Sequence, residues 1–108
     1  MRNTFWVFIL LMLAGCAKPL PEDKLDYAGT WIGSQISLII TTDGRVLYER
    51  VEGSFTTSIE GPIKEFNGDD FSVGFLFLTA NFHVSNPPYE EDGIWQMTVD
   101  DARLTRVD

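Results

Sequence analysis

The sequence predicts an all-β domain, a small antiparallel up-and-down β-barrel of about eight strands behind an N-terminal leader. Three observations predict it. From Tyr27 onward no window repeats apolar residues at helical spacing, short runs rich in Val, Ile, Thr and Phe recur, and Gly, Asn, Asp and Pro interrupt them. A chain of 108 residues with 44% hydrophobic content has room for one domain and its core.

The runs fall at 29–34, 35–41, 45–52, 54–60, 63–66, 70–77, 79–85, 94–99 and 102–107, and joining the first two into one bent strand gives a count of eight. Asp43-Gly44 is the strongest hairpin signal, because a type I′ turn needs positive φ at both central residues; Asn67-Gly68 is a second. Asn86-Pro87-Pro88 opens a longer acidic loop through Asp92, since proline cannot donate to a ladder. Alternation assigns faces: Phe55, Thr57 and Ile59 oppose Thr56, Ser58 and Glu60; Ala80, Phe82 and Val84 oppose Asn81, His83 and Ser85; Trp95, Met97 and Val99 oppose Gln96 and Thr98. One apolar face per strand and no helix to cover it require the sheet to close on itself as a barrel or sandwich.

Charge and cysteine usage exclude several classes. Acids outnumber bases 16 to 8, so the phosphate-neutralising surface of a nucleic-acid binder is missing. Cys16 is the single cysteine, which rules out an intramolecular disulfide and a Cys-rich zinc site. The leader is Arg2 followed by an apolar run at 5–13, nine residues where about 20 are needed to span a bilayer.

That run ends in Leu13-Ala14-Gly15-Cys16, which resembles the lipobox of bacterial lipoproteins at all four positions. The resemblance implies a signal peptide over 1–15, cleavage between Gly15 and Cys16, a diacylglyceryl thioether on Cys16 and acylation of the new N-terminus by a chain such as palmitate. Three acyl chains make a durable anchor where a single one binds only marginally. Ala17 follows the cysteine, where Asp in that family favours inner-membrane retention, so the expected location is the periplasmic face of the outer membrane in a Gram-negative cell. Loss of Arg2 leaves 7 bases against 16 acids, a net charge of −9, so attachment to an anionic surface must come from lipid and not from charge. Residues 16–26, with two prolines and mixed charge, read as the lipidated cysteine and an extended tether, and 27–108 as the barrel domain.

Gly29-Thr30-Trp31, followed by Gly33, resembles the Gly-x-Trp opening of lipocalin-like barrels. The resemblance implies that Trp31 plugs one barrel end beneath a basic residue from the last strand, Arg106, with Arg103 as the alternative. An Arg over an indole face is a cation–π contact of about 0.5–2 kcal/mol. The inward candidates Trp31, Phe55, Phe71, Phe75, Phe82 and Trp95 are bulky, and an eight-stranded barrel holds either such side chains or one small ligand. If a ligand cavity exists, Phe71, Phe75, Phe82 and Trp95 line it.

No pattern announces catalysis, a cofactor or a metal. His83 is the lone histidine, on the polar face of its run, and Asp69-Asp70, Glu90-Glu91-Asp92 and Asp100-Asp101 read as solvated turn acids without calcium-loop spacing. Residues 71–78 are apolar on both faces, with Gly74 marking a bulge or close backbone approach, and Leu76 and Leu78 on the outer side form a candidate partner patch. The expected function is a non-enzymatic, lipid-anchored envelope protein whose barrel binds another envelope component. Two alternatives stand beside it: a carrier of a small hydrophobic ligand, and an acidic inhibitor steered to a basic hydrolase by its charge.

Overall fold

The computed structural model describes residues 17–75 and 77–108, with the side chain of Phe75 excepted. The chain forms one curled antiparallel sheet, a half-barrel. A 3₁₀-helix (Glu22–Tyr27) precedes β1 (Gly29–Ile32), β2 (Ile36–Ile40), β3 (Arg45–Glu52), β4 (Phe55–Asn67), β5 (Asp70–Phe75), β6 (Leu78–Phe82), β7 (Val84–Glu91), β8 (Ile94–Val99) and β9 (Ala102–Arg106). The strand order is β6-β5-β4-β3-β2-β1-β9-β8-β7. Two meanders, β1–β6 and β7–β9, are therefore stitched together by β1 pairing with β9, Trp31 opposite Arg106.

The up-and-down order expected from sequence holds inside each meander and breaks between them. β6 and β7 are the two edges of the sheet and do not pair; the chain runs from one to the other through His83 alone. A covalent corner thus stands where a closed barrel would have a ninth ladder.

Several boundaries differ from the sequence reading. The runs 54–60 and 63–66 are one strand, β4, and a register shift between Ile63 and Glu65 bends it so that its first half pairs with β3 and its second with β5. Residues 79–85 divide at His83. The acidic loop expected from Asn86 is strand β7: its ladder skips from Asn86 to Tyr89, leaving Pro87 and Pro88 unpaired on an edge strand, the one setting where prolines are tolerated. The turn centres also move. Gly44 donates its N–H to Thr41 O and has φ 91°, so Thr42-Asp43 form the turn and Gly44 the bulge that follows it. Asn67 pairs with Asp70, which makes Gly68-Asp69 the two-residue loop.

The core lies on the concave side. Trp31, Leu38, Ile40, Val46, Val73, Met97 and Leu104 are almost wholly buried, each worth about 1.5–3 kcal/mol of transfer free energy. An aromatic cluster continues from them: Phe71 and Phe82, a cross-strand pair, stack with centroids 5.0 Å apart, and Tyr48 meets Phe82 edge-on at 5.1 Å. Tyr27 packs edge-on against Phe66 at 5.3 Å and donates its hydroxyl to Asp69 O at 2.8 Å. Burial, then the charge of Asp69, raises the pKa of that phenol.

Residues 20–26 are not a tether. Leu20 is buried and its N–H donates to Thr42 O at 2.9 Å, and the 3₁₀-helix carries Tyr27 into the core. The apolar side chains of Leu20 and Tyr27 outweigh the charge alternation that suggested an extended segment. Packing against the sheet begins before Leu20, where the Lys18 backbone lies against Gly44.

Candidate functional site

The most organised end of the molecule is built around Trp31. β1 directs the indole inward, where it is fully buried and its Nε1 donates to Tyr27 O at 2.9 Å, so the indole N–H is satisfied by the helix that caps it. From the paired position on β9, Arg106 lays its guanidinium 5.8 Å from the Trp31 ring centroid and 4.9 Å from that of Trp95 on β8, and donates to Ala28 O at 3.3 Å. Gly29 makes this possible. Its φ is 140°, and a Cβ there would sit 2.5 Å from Arg106 Cδ. Arg103 lies three residues before Arg106 on β9 and is exposed. Lys24 completes the cap, its Nζ 5.4 Å from the Phe66 ring centroid and 4.0 Å from Asp69 Oδ1.

Of the residues named for a ligand cavity, Phe71 and Phe82 border one groove and Trp95 lies apart from it. Phe71 and Phe82 fill the space between their strands by stacking on each other, while Trp95 is half-buried beneath Arg106. Phe75 contributes only its backbone to the described residues. Phe55, expected to point inward, is 78% exposed because its half of β4 runs past the end of the core.

The His83 corner is held by two carboxylates. Asp70 Oδ1 accepts from Val84 N at 2.7 Å, and its carboxylate contacts His83 Nδ1 at 3.2 Å. The Val84 bond first, and the His83 bond second, hold the Asp70 carboxyl below the usual carboxylate range. Asp100 Oδ1 accepts from His83 N at 2.9 Å, and Asp100 N donates back to His83 O at 2.7 Å. Sequence reasoning took both aspartates for solvated turn acids. Their one sequence signal is position, Asp70 directly after a two-residue hairpin loop and Asp100 as the first residue of another. His83 is exposed, as expected, and here it joins a structural bracket. Beside it, Glu65, Asn67, Ser72 and Asn81, with the rings of Phe71 and Phe82, line a groove of about 240 Å³. Among the described residues no three His, Cys, Asp or Glu side chains are grouped to hold a metal ion.

At the hairpin ends the surface is apolar. β5 stops at Phe75 and not at 77, so Phe77 lies in the β5–β6 turn, fully exposed, and Leu78 is exposed beside it. Leu76, its expected companion in the patch, lies outside the described residues, as do Leu13, Ala14, Gly15 and Cys16. No described helix is long and apolar enough to cross a membrane.

Comparison with known proteins finds no matching protein family, no similar curated protein and no similar solved structure.

Proposed function

We propose that the protein is a lipoprotein of the bacterial cell envelope, anchored through acyl chains on Cys16, whose half-barrel is a non-enzymatic binding module for another envelope component. The observation that carries the reading is the sequence Leu13-Ala14-Gly15-Cys16 placed directly after a nine-residue apolar run with Arg2 before it. The interior supports binding by surface over carriage of a ligand: Phe71, Phe82 and Tyr48 pack on one another where a hydrophobic guest would sit. Phe77 and Leu78 offer the exposed apolar contact such a module needs. The periplasmic face of the outer membrane is the location we assign in a Gram-negative host, from Ala17 after the cysteine.

Packing from Lys18 onward adds a geometric consequence. The Lys18 carbonyl already packs against Gly44, so only Ala17 lies between Cys16 and the packed chain, a reach of at most roughly 7 Å. The β2–β3 turn, where Leu20 docks on Thr42, is then the end nearest the bilayer. The test is Cys16→Ser expressed in bacteria: the wild-type chain should fractionate with membranes and incorporate labelled palmitate, and the variant should do neither. Equal membrane recovery of both, without label, overturns the reading.

A further inference from the structure

The first half of β4 is half-paired. Residues Phe55 to Pro62 ladder with β3, but β5 meets β4 only from Ile63 onward, so among the described residues the other edge of 55–60 presents unpaired backbone N–H and C=O groups. Residues 51–58 are all exposed. An open edge of this kind is a template for another strand, and proteins ordinarily blunt such edges with Lys, Pro or a bulge. Here Glu60, Pro62 and the bulge after Ile63 lie only at the far end, and the stretch before them is not blunted. Phe55-Thr56-Thr57-Ser58-Ile59 contains no charge, no Pro and no Gly, whereas its partner β3 carries Glu49, Arg50 and Glu52 along the same stretch. The charges of the hairpin sit on the inner strand, where they guard nothing.

We infer that this edge pairs with the same edge of a second copy of the chain, antiparallel and centred on Thr57. A two-fold axis there makes the interface isologous, and the segment is self-complementary in that register. Phe55 stands opposite Ile59 of the second copy, and the pair recurs by symmetry. Aromatic against β-branched is a favourable cross-strand pair. Thr57 meets Thr57, Thr56 meets Ser58 on the other face, and Glu60 falls opposite Ser54, so no like charges oppose one another. Phe55, whose exposure has no role in the core, gains a partner. The Gly53-Ser54 turn of each copy is then directed toward the β5–β6 turn of the other, where Phe77 and Leu78 are exposed. A foreign strand satisfies the same backbone groups but has no reason to match this pattern of side chains. Two copies of net charge −8 repel at long range, within a screening length of about 8 Å at physiological salt, while the ladder itself carries only Glu60 of each copy, one at either end. Association therefore strengthens as salt is added.

Full-length protein in excess detergent, analysed by sedimentation, tests this. Wild type should show a dimer whose fraction rises with salt. Thr57→Lys and Thr57→Glu, which place like charges on the two-fold axis at an exposed position, should each be monomeric, with melting changed only slightly by Arg50 opposite on β3, downward for Lys and upward for Glu, and an equimolar mixture of the two should recover the dimer. Thr57→Cys, oxidised in membranes, should cross-link to a dimer while Asp92→Cys on the β7–β8 turn does not. A wild-type monomer at high concentration, dimers of both charge variants alone, a mixture that stays monomeric, or equal cross-linking at the two positions overturns the inference. So does occupation of the edge by a strand from a different protein. The inference stands apart from the lipid anchor, since the soluble Cys16→Ser chain should dimerise through the same edge.

Discussion

At the residue scale, single side chains hold together parts of the chain that lie far apart in sequence. Arg106 touches the aromatic faces of Trp31 and Trp95 at 5.8 and 4.9 Å, the two tryptophans among the described residues. Arg106→Ala should shift the intrinsic tryptophan emission of the protein and lower its stability by about 1–2 kcal/mol, from the lost cation–π contacts and stem packing. An unchanged emission maximum would contradict the geometry. Asp70 gives a pH-dependent prediction. Its folded pKa is lowered, so the stability it contributes is fully present above the ordinary carboxylate value near 4 and is lost as pH falls through the folded value. Asp70→Asn keeps an acceptor for Val84 N but removes the charge beside His83. The gap in melting temperature between wild type and variant should be widest at neutral pH and close at about pH 2; a gap that persists in acid would show that charge is not the cause. Much of the Trp31 end was legible in advance, because Gly29, Trp31 and Arg106 carry a recognisable pattern. The His83 corner was not, since hydrogen bonds from Asp70 and Asp100 to a backbone distant in sequence leave no periodic trace.

At the scale of elements, alternation of apolar residues located the strands, and tertiary context set where they end. β3 and β8 match their sequence boundaries because both are flanked by turn residues and buried on one face. β4 was read as two strands because Gly61-Pro62 looks like an interruption; the long strand survives there as β5 takes over from β3 as its partner. β7 was read as a loop because two prolines forbid a ladder, and an edge strand escapes that rule by skipping them. The N-terminal segment 20–27 was missed because its apolar residues, Leu20, Leu25 and Tyr27, are too few to show a period. Its docking makes a prediction at Gly44, which has φ 91° and whose Cβ would collide with the carbonyl oxygen of Lys18. Gly44→Ala should cost about 1–3 kcal/mol from the strained φ and the lost burial of Leu20. Limited proteolysis should then cut near Lys18 and Lys24 in the variant sooner than in wild type, and equal cleavage rates would refute the docked segment.

At the scale of the whole molecule, an all-β sheet curled on an aromatic core leaves its conspicuous apolar surface at the hairpin ends, in Phe55, Phe77 and Leu78. Fold class followed from composition and pattern, because a chain with one apolar face per strand and no amphipathic helix has few ways to bury it. Function did not follow from the fold, since half-barrels of this kind host many roles; it rests on the four residues ending at Cys16. Intact mass spectrometry of the protein isolated from bacterial membranes tests that dependence most directly. The account predicts a chain that begins at Cys16, carries the added mass of three fatty acyl groups and a glyceryl unit, and lacks residues 1–15. A product that retains Met1 and bears no lipid mass would contradict it.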